Sequence, residues 1–438
     1  MMMRWILIAV FMVGATNAFA NGEVPTASPK AVGMSADRLE NMSRNLDMLV
    51  ETEQIAGSVT LVSRHGKVVY FRENGFQYKE EDVPMSKDTI FRIASMTKPI
   101  TSVALMMLFE EGAFLLDDPI SNWLPEYANP MVAIKAPDNE RVASPYKLVP
   151  ANKAITVRHV LTHTAGLANS YRGMTRELLR EANADFERTT VEAAIRRQGS
   201  VPLNFHPGEA WEYGGATSIC GVLVELISGM TLDEFFKVRI FEPLGMTDTY
   251  FNIPEEKVSR QTALYNPTDD GTIALTRAAE YVEPHEYFSG AGGLASTASD
   301  YWKFCQMLLN GGEFNGTRLL SRRTIDLMIS NHVGDHAGWL MGDGYQFGLG
   351  FRILSDPGHA YEHLSLGSFG WGGAYNTYFF IDPVEDMIGI SMIQIRPYTQ
   401  LKTRSHLGIF ATQAIVDDGA GVTPKISSLG TLGDPKGQ

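Results

Sequence analysis

Cysteine is nearly absent from this chain of 438 residues: there are two, Cys220 and Cys305, each in an apolar stretch of helical spacing and neither with metal-ligand spacing. A disulfide scaffold and a thiolate metal site are thereby excluded, leaving either one pair or two buried thiols. The ten histidines are scattered, with no His-Glu-x-x-His or comparable spacing, so no metal is expected. Positive charge is also in short supply. Against 50 acidic residues stand 37 Lys and Arg, a formal net charge of -13, and no basic cluster offers a face for nucleic acid. Internal repeats and low-complexity tracts are missing. No serine sits in Gly-x-Ser-x-Gly, which removes the nucleophile elbow of an α/β-hydrolase.

Apolar runs long enough to span a membrane are missing too, and the one at the start is no exception. Trp5 to Val13 is continuously apolar behind Arg4, and Ala18-Phe19-Ala20 offers small residues for cleavage. The run falls far short of the roughly 20 residues a spanning helix needs. Residues 1–20 therefore read as a secretory signal peptide, the mature chain as exported, periplasmic or secreted, with no stable membrane insertion. Loss of residues 1–20 removes Arg4 and no acidic residue, taking the formal charge to -14.

With 44% hydrophobic and 20% charged residues, the remainder suits one large globular domain or two lobes. Residues 21–34 form a Pro/Ser/Gly-containing lead-in, and residues 419–438 a tail with little apolar content. Both are expected to be loosely ordered. From Ser35, Leu39, Met42, Leu46 and Leu49 recur at helical spacing, predicting a capped amphipathic helix. "SVTLVSRHGKVVYF" predicts a hairpin turning at His65-Gly66, and "YNTYFFID" with "MIGISMIQ" a second one across Pro383 to Asp386. "FGLGFRI", Phe347 to Ile353, is a fifth candidate strand. Between about 97 and 280 the patterns are mostly helical. Strands, then helices, then strands predict an α+β fold: an antiparallel sheet from both chain ends, flanked by helices, with an inserted helical lobe and a cleft between them.

"RIASMTKPIT", residues 92 to 101, carries Ser-x-x-Lys, a pattern expected roughly once by chance in such a chain. A second copy, Ser144-Pro145-Tyr146-Lys147, leads into "LVPANKA" and reads as a loop. Only Ser95 and Lys98 precede a long apolar run, Ile100 to Phe109, that predicts a buried helix ending at Gly112. Residues i and i+3 share a helix face, so Lys98 can reach the Ser95 hydroxyl. A helix N-terminus favours negative charge developing on the serine and on a bound carbonyl. An amine held out of water could relay the serine's proton. Pro99 is tolerated in the opening turn.

"FRIASMTKP", "ITVRHVLTHTAGL", "HPGEAWEYGGATSICGVLVELISG" and "SFGWGGAYNTYFFIDP" together resemble, in order and approximate spacing, the serine β-lactamase and penicillin-binding superfamily. The likeness is greatest to its class C-like branch, including the family VIII carboxylesterases, and runs from about residue 35 to 415. It implies an acylated nucleophile at Ser95, an activating amine at Lys98 and a proton-shuttling phenol at Tyr213. The third motif, often Lys-Thr-Gly, is Trp371-Gly372-Gly373 here. By position, the N–H of Ala374 would complete an oxyanion hole with that of Ser95. Two departures stand out: Gly215 replaces the asparagine of motif two, and Trp371 the lysine of motif three. Both losses weaken a β-lactamase or D-amino-acid peptidase reading and favour small neutral esters in an uncharged cleft lined by Gly215, Trp371, Gly372 and Gly373.

The resemblance thus implies a serine hydrolase acting through an acyl-enzyme, without a cofactor, on a small-molecule ester or amide. The oligomeric state stays open. Two other readings compete. His163 with Asp117 or Asp118 could build a Ser-His-Asp triad, although a histidine anchoring a loop through hydrogen bonds is the plainer expectation. A non-catalytic, penicillin-binding-like sensor would retain the fold without turnover, but nothing structural requires Ser95, Lys98 and Tyr213 together.

Overall fold

His65 and Gly66 both adopt positive φ (52° and 67°), as the tightest two-residue hairpin turns require, and they join β1 (Gly57–Arg64) to β2 (Lys67–Tyr78). The computed structural model describes residues 24–417, apart from 137–145, 170, 171, 185–188, 281 and 337–339. Ser144, the signal segment and the tail thus lie outside the described residues. The strand pairs β3 (Val83–Pro84), β4 (Tyr345–Phe347), β5 (Arg352–Leu354), β6 (Phe369–Gly372), β7 (Tyr378–Asp382) and β8 (Met387–Met392) complete an eight-stranded antiparallel sheet in the order β4-β5-β6-β7-β8-β1-β2-β3. Its centre joins the two ends of the chain, with Val59 opposite Met392 and Arg64 opposite Met387.

Every residue of β1, β7 and β8 is buried, because helices cover both faces. On one face lie α1 (Ala36–Glu51), capped by Ser35, which accepts from the Arg38 N–H at 3.3 Å, and the C-terminal helix Thr403–Thr412. On the other lies Ala298–Leu309, whose Trp302 donates to the Ser63 hydroxyl at 2.7 Å. The helical lobe is organised around α2 (Thr97–Glu110) and α3 (Ala216–Ser228), which pack on each other. From Thr97 to Leu108 every residue of α2 is buried, and sealing each large apolar side chain contributes about 1.5–3 kcal/mol, so the helix start is firmly placed. Cys220 and Cys305 are buried free thiols.

Four local expectations change. "FGLGFRI" is not one strand but the turn between β4 and β5. A Cβ on Gly348 would lie 2.1 Å from the Met328 carbonyl oxygen, and one on Gly350 2.2 Å from the Ser102 hydroxyl, so the backbone bends tightly there against other elements. "YKLVP" is no loop: Tyr146–Pro150 pairs with Met131–Lys135, with Pro150 at the end of the ladder where its missing N–H costs least. A further ribbon, Leu264–Pro267 with Ile273–Arg277, falls inside the mainly helical region. The lead-in is held from Val24 onward: Thr26 bridges Val68, Met34 bridges Ile415, and Val32 and Met34 are buried.

Candidate active site

Ser95 sits in a single 3-10 turn, Ala94–Met96, that feeds directly into α2. Three distant elements clamp this turn. Tyr301 donates to the Met96 carbonyl at 2.8 Å, Thr377 donates to the Ile93 carbonyl at 3.1 Å, and the Thr97 hydroxyl accepts from the Leu294 N–H at 3.1 Å. Ala94 is held at φ 45°, a left-handed angle costing a non-glycine residue about 1–3 kcal/mol, which only an over-determined surround sustains. One turn on, the Lys98 amine is 3.2 Å from the Ser95 Oγ and 2.6 Å from the Ala291 carbonyl oxygen, with the residue only 5% exposed. The Lys98 Nζ thus bridges the Ser95 hydroxyl and the Ala291 carbonyl, donating to both.

Tyr213 lies in the irregular stretch before α3, where its carbonyl accepts from Asn169 at 2.8 Å. Its ring meets the Lys98 ammonium nitrogen at 4.7 Å from the centroid, and its hydroxyl accepts from Trp371 Nε1 at 3.4 Å. The hydroxyl, amine and phenol residues singled out in the sequence are thus brought together. Around Tyr213 stand Trp371 at 5.3 Å and His163 at 5.0 Å between ring centroids; Trp211 stacks on it at 6.1 Å, and Phe347 fills in behind. Gly215 caps α3 with no heavy atom within 4 Å of where a Cβ would stand, leaving open space in place of a side chain.

Trp371 and Gly372 end β6, so motif three does sit on a strand, paired with Phe379 and Tyr378 of β7. Beyond it a Cβ on Gly373 would be 2.2 Å from the Thr377 hydroxyl and 2.3 Å from the Ile93 oxygen. Only glycine allows the strand end to come this near the Ser95 turn. The next N–H, that of Ala374, and that of Ser95 make no hydrogen bond among the described residues. Arg404, absent from the sequence reading, lies against Gly372 and donates to the Gly373 and Thr377 carbonyls at 2.5 and 3.2 Å.

The triad is not assembled. Burial, then the charge of Lys98, pushes the His163 imidazole down to about 3, and its buried Nδ1 has no hydrogen-bond partner among the described residues. Asp117 instead pairs with Arg158 at 2.8 Å, and Asp118 accepts from the Leu115 N–H. Nor does the His163 side chain anchor its loop by hydrogen bonds as expected: the backbone carbonyl does that, accepting from Glu212, while the ring packs among aromatics.

A charged residue stands beside the Ser95 turn, outside the group formed by Gly215, Trp371, Gly372 and Gly373. Arg92 lines a cavity of about 170 Å³ with Tyr375 and Gly292, and a Cβ on Gly292 would lie 3.7 Å from the Ala94 carbonyl carbon. Arg92 stands within the very stretch that carries Ser95. Its position beside Ser95 was legible in the sequence; that it makes no ion pair among the described residues was not.

A family model described as Beta-lactamase matches residues 42–412. Protein Rv1367c of Mycobacterium tuberculosis is 33% identical over 360 residues, covering 78% of this chain and 86% of that protein. Esterase EstB of Burkholderia gladioli is 29% identical over 395 residues, covering 84% and 92%. Among solved structures, EstCE1, described as a hydrolase with promiscuous acyltransferase activity, superposes with a TM-score of 0.73 at 25% identity, over 89% of this chain and 99% of that one.

Proposed function

The chain belongs to the Beta-lactamase family and is a serine hydrolase, and from that premise we propose that it is a carboxylesterase of small esters in which Ser95 is the acylated nucleophile. The observation that carries this reading is the sealed Lys98 amine, within hydrogen-bonding distance of the Ser95 hydroxyl and against the Tyr213 ring. The Ser95 proton passes to the Lys98/Tyr213 pair as Oγ bonds the ester carbonyl carbon. The carbonyl oxygen, now negative, is met by the N–H groups of Ser95 and Ala374. The carbon–oxygen bond to the alcohol then breaks, and the alcohol takes the proton from the pair. Water repeats the sequence in reverse: its oxygen bonds the acyl carbon, its proton travels through the pair, and Oγ leaves reprotonated with the free acid released.

An ester preference draws on two positions. The Gly215 space offers no amide to grip a peptide-like group, and the indole of Trp371 is neutral where β-lactam-hydrolysing relatives carry a lysine. EstB, by its name, is an esterase, which agrees with this preference. The test is a panel of 4-nitrophenyl butyrate, a D-alanine amide and nitrocefin with wild type and Ser95→Ala. Ester turnover is expected to dominate and to fall by about 10³-fold or more in Ser95→Ala with the thermal midpoint retained. An unchanged ester rate in that variant overturns the nucleophile, and nitrocefin turned over far faster than the ester overturns the substrate class.

A further inference from the structure

The cavity beside the Ser95 turn has one cationic wall. Arg92 is half-buried there, and among the described residues it makes no ion pair; its partner is neutral, the Gln261 amide, whose oxygen, in the orientation that satisfies both its ends, accepts from Nη1, Nη2 and Nε at 2.8, 2.6 and 3.3 Å. A guanidinium has five N–H donors, and a single neutral oxygen shared among three of them leaves its charge uncompensated. Arg277, exposed and also without an ion pair among the described residues, lines the same cavity, and Tyr375 contributes its phenol. Burial first, and the charge of Arg277 next, push the Arg92 guanidinium down to about 10, with Tyr375 and the exposed rim residue Glu280 opposing. Two arginines facing one space, against a single carboxylate among the described residues that line it, form an arrangement that an anion would relieve.

We infer that this cavity is the acyl-side subsite and that it selects esters whose acyl chain ends in a carboxylate, held by Arg92 with support from Arg277. The side follows from the chemistry. The alcohol must leave toward the Tyr213 phenol that reprotonates it, and none of the aromatic rings around Tyr213 lines this cavity. The cavity instead adjoins the Ser95 turn, where its lining residue Gly292 comes against the Ala94 backbone and Tyr375 follows Ala374 in the chain. On this inference the substrate is neutral where it lies on Trp371 and anionic at the far end of its acyl chain.

This inference rests on the esterase reading, and the experiment separates the two. Wild type is assayed on mono-4-nitrophenyl adipate and on its methyl ester, which has the same length without the charge. A kcat/KM about tenfold higher for the acid is expected, weakening in high salt, with the ratio falling toward one in Arg92→Gln and partway in Arg277→Ala. A wild-type ratio of one or less, or a ratio that survives Arg92→Gln, overturns the inference while Ser95-dependent turnover of the methyl ester leaves the esterase reading standing. A preference seen only between 4-carboxyphenyl hexanoate and its methyl ester overturns the acyl-side assignment. Calorimetric titration of Ser95→Ala with monomethyl and dimethyl adipate reads the cavity without turnover: about tenfold tighter binding of the acid supports it, and equal affinity sinks it.

Discussion

His163 holds a left-handed φ of 59° and a buried ring pressed against Tyr213, Trp211 and Phe347. Its ordinary value of 6.5 falls to about 3 in the fold, because the ring is out of water and Lys98 is close. Above pH 6.5 both folded and unfolded chains hold it neutral, and the fold keeps its full stability. As pH drops below 6.5 the unfolded chain takes up the proton first, so stability declines down to about pH 3, by up to about 1.4 kcal/mol per pH unit. His159, lowered to about 4 by burial and by Lys153, acts in the same direction over a narrower window. The urea midpoint should therefore fall between pH 7 and pH 5, and fall less in His163→Asn, a residue that tolerates positive φ. The same variant should keep esterase activity within about tenfold of wild type, since the imidazole moves no proton. A loss of about 10³-fold or more with intact folding would restore the triad.

At the scale of elements, the site depends on how closely β6 can approach the turn before α2. Gly370, within the strand, already sits where a Cβ would be 2.3 Å from the Phe379 oxygen, and Gly373 meets both Thr377 and the Ile93 backbone. The two are tied to each other, since the Thr377 hydroxyl donates to the Ile93 carbonyl, so a Cβ there would press on a bonded pair. Gly373→Ala should push the strand end outward and spread the Ser95 and Ala374 N–H groups. Esterase kcat should then drop by about 10²-fold or more, as for loss of an oxyanion donor, with destabilisation of about 1–3 kcal/mol. Rates on 4-nitrophenyl butyrate beside urea curves read both effects, and a normal kcat with only a lowered midpoint would exclude the oxyanion role. Such approaches explain what was legible. The hairpins at His65-Gly66 and Pro383–Asp386 follow from alternation and turn chemistry within a dozen residues. The bend at Gly348 to Gly350 answers to Met328 and Ser102, far away in sequence, so the local pattern read as one strand. Ser95, Lys98 and Tyr213 were legible because motif order carries them. The exposure of Arg92 to a cavity depends on Gln261, Arg277 and Tyr375, which no motif joins to it.

Across the whole molecule, the sheet is closed by strands from opposite ends of the chain, and Arg64 at the end of β1 fastens them. Its guanidinium is almost fully buried, bonded to Glu385 and Asp417 at 2.7 Å each and to the Val32 carbonyl at 3.0 Å. One side chain thus ties the lead-in, the turn between β7 and β8, and the last described residues after the C-terminal helix. Composition made the lead-in look loose, but two of its few apolar residues, Val32 and Met34, are buried in the core, and a low apolar content does not reveal which residues are used. Arg64→Leu keeps the buried stem and leaves two carboxylates and the carbonyls of Val32, Gly33 and Glu385 without their shared donor. The carboxylates stay partly in water, which limits the cost below that of a fully buried pair, to about 2 kcal/mol. Urea unfolding should show the lowered midpoint, and limited proteolysis should cut first at residues 24–34 as the lead-in releases. None of the partners of Arg64 belongs to the group around Ser95, so the esterase rate per folded molecule should be unaltered. A midpoint equal to that of wild type would mean that the sheet's own pairing of β1 with β8 closes the chain ends unaided.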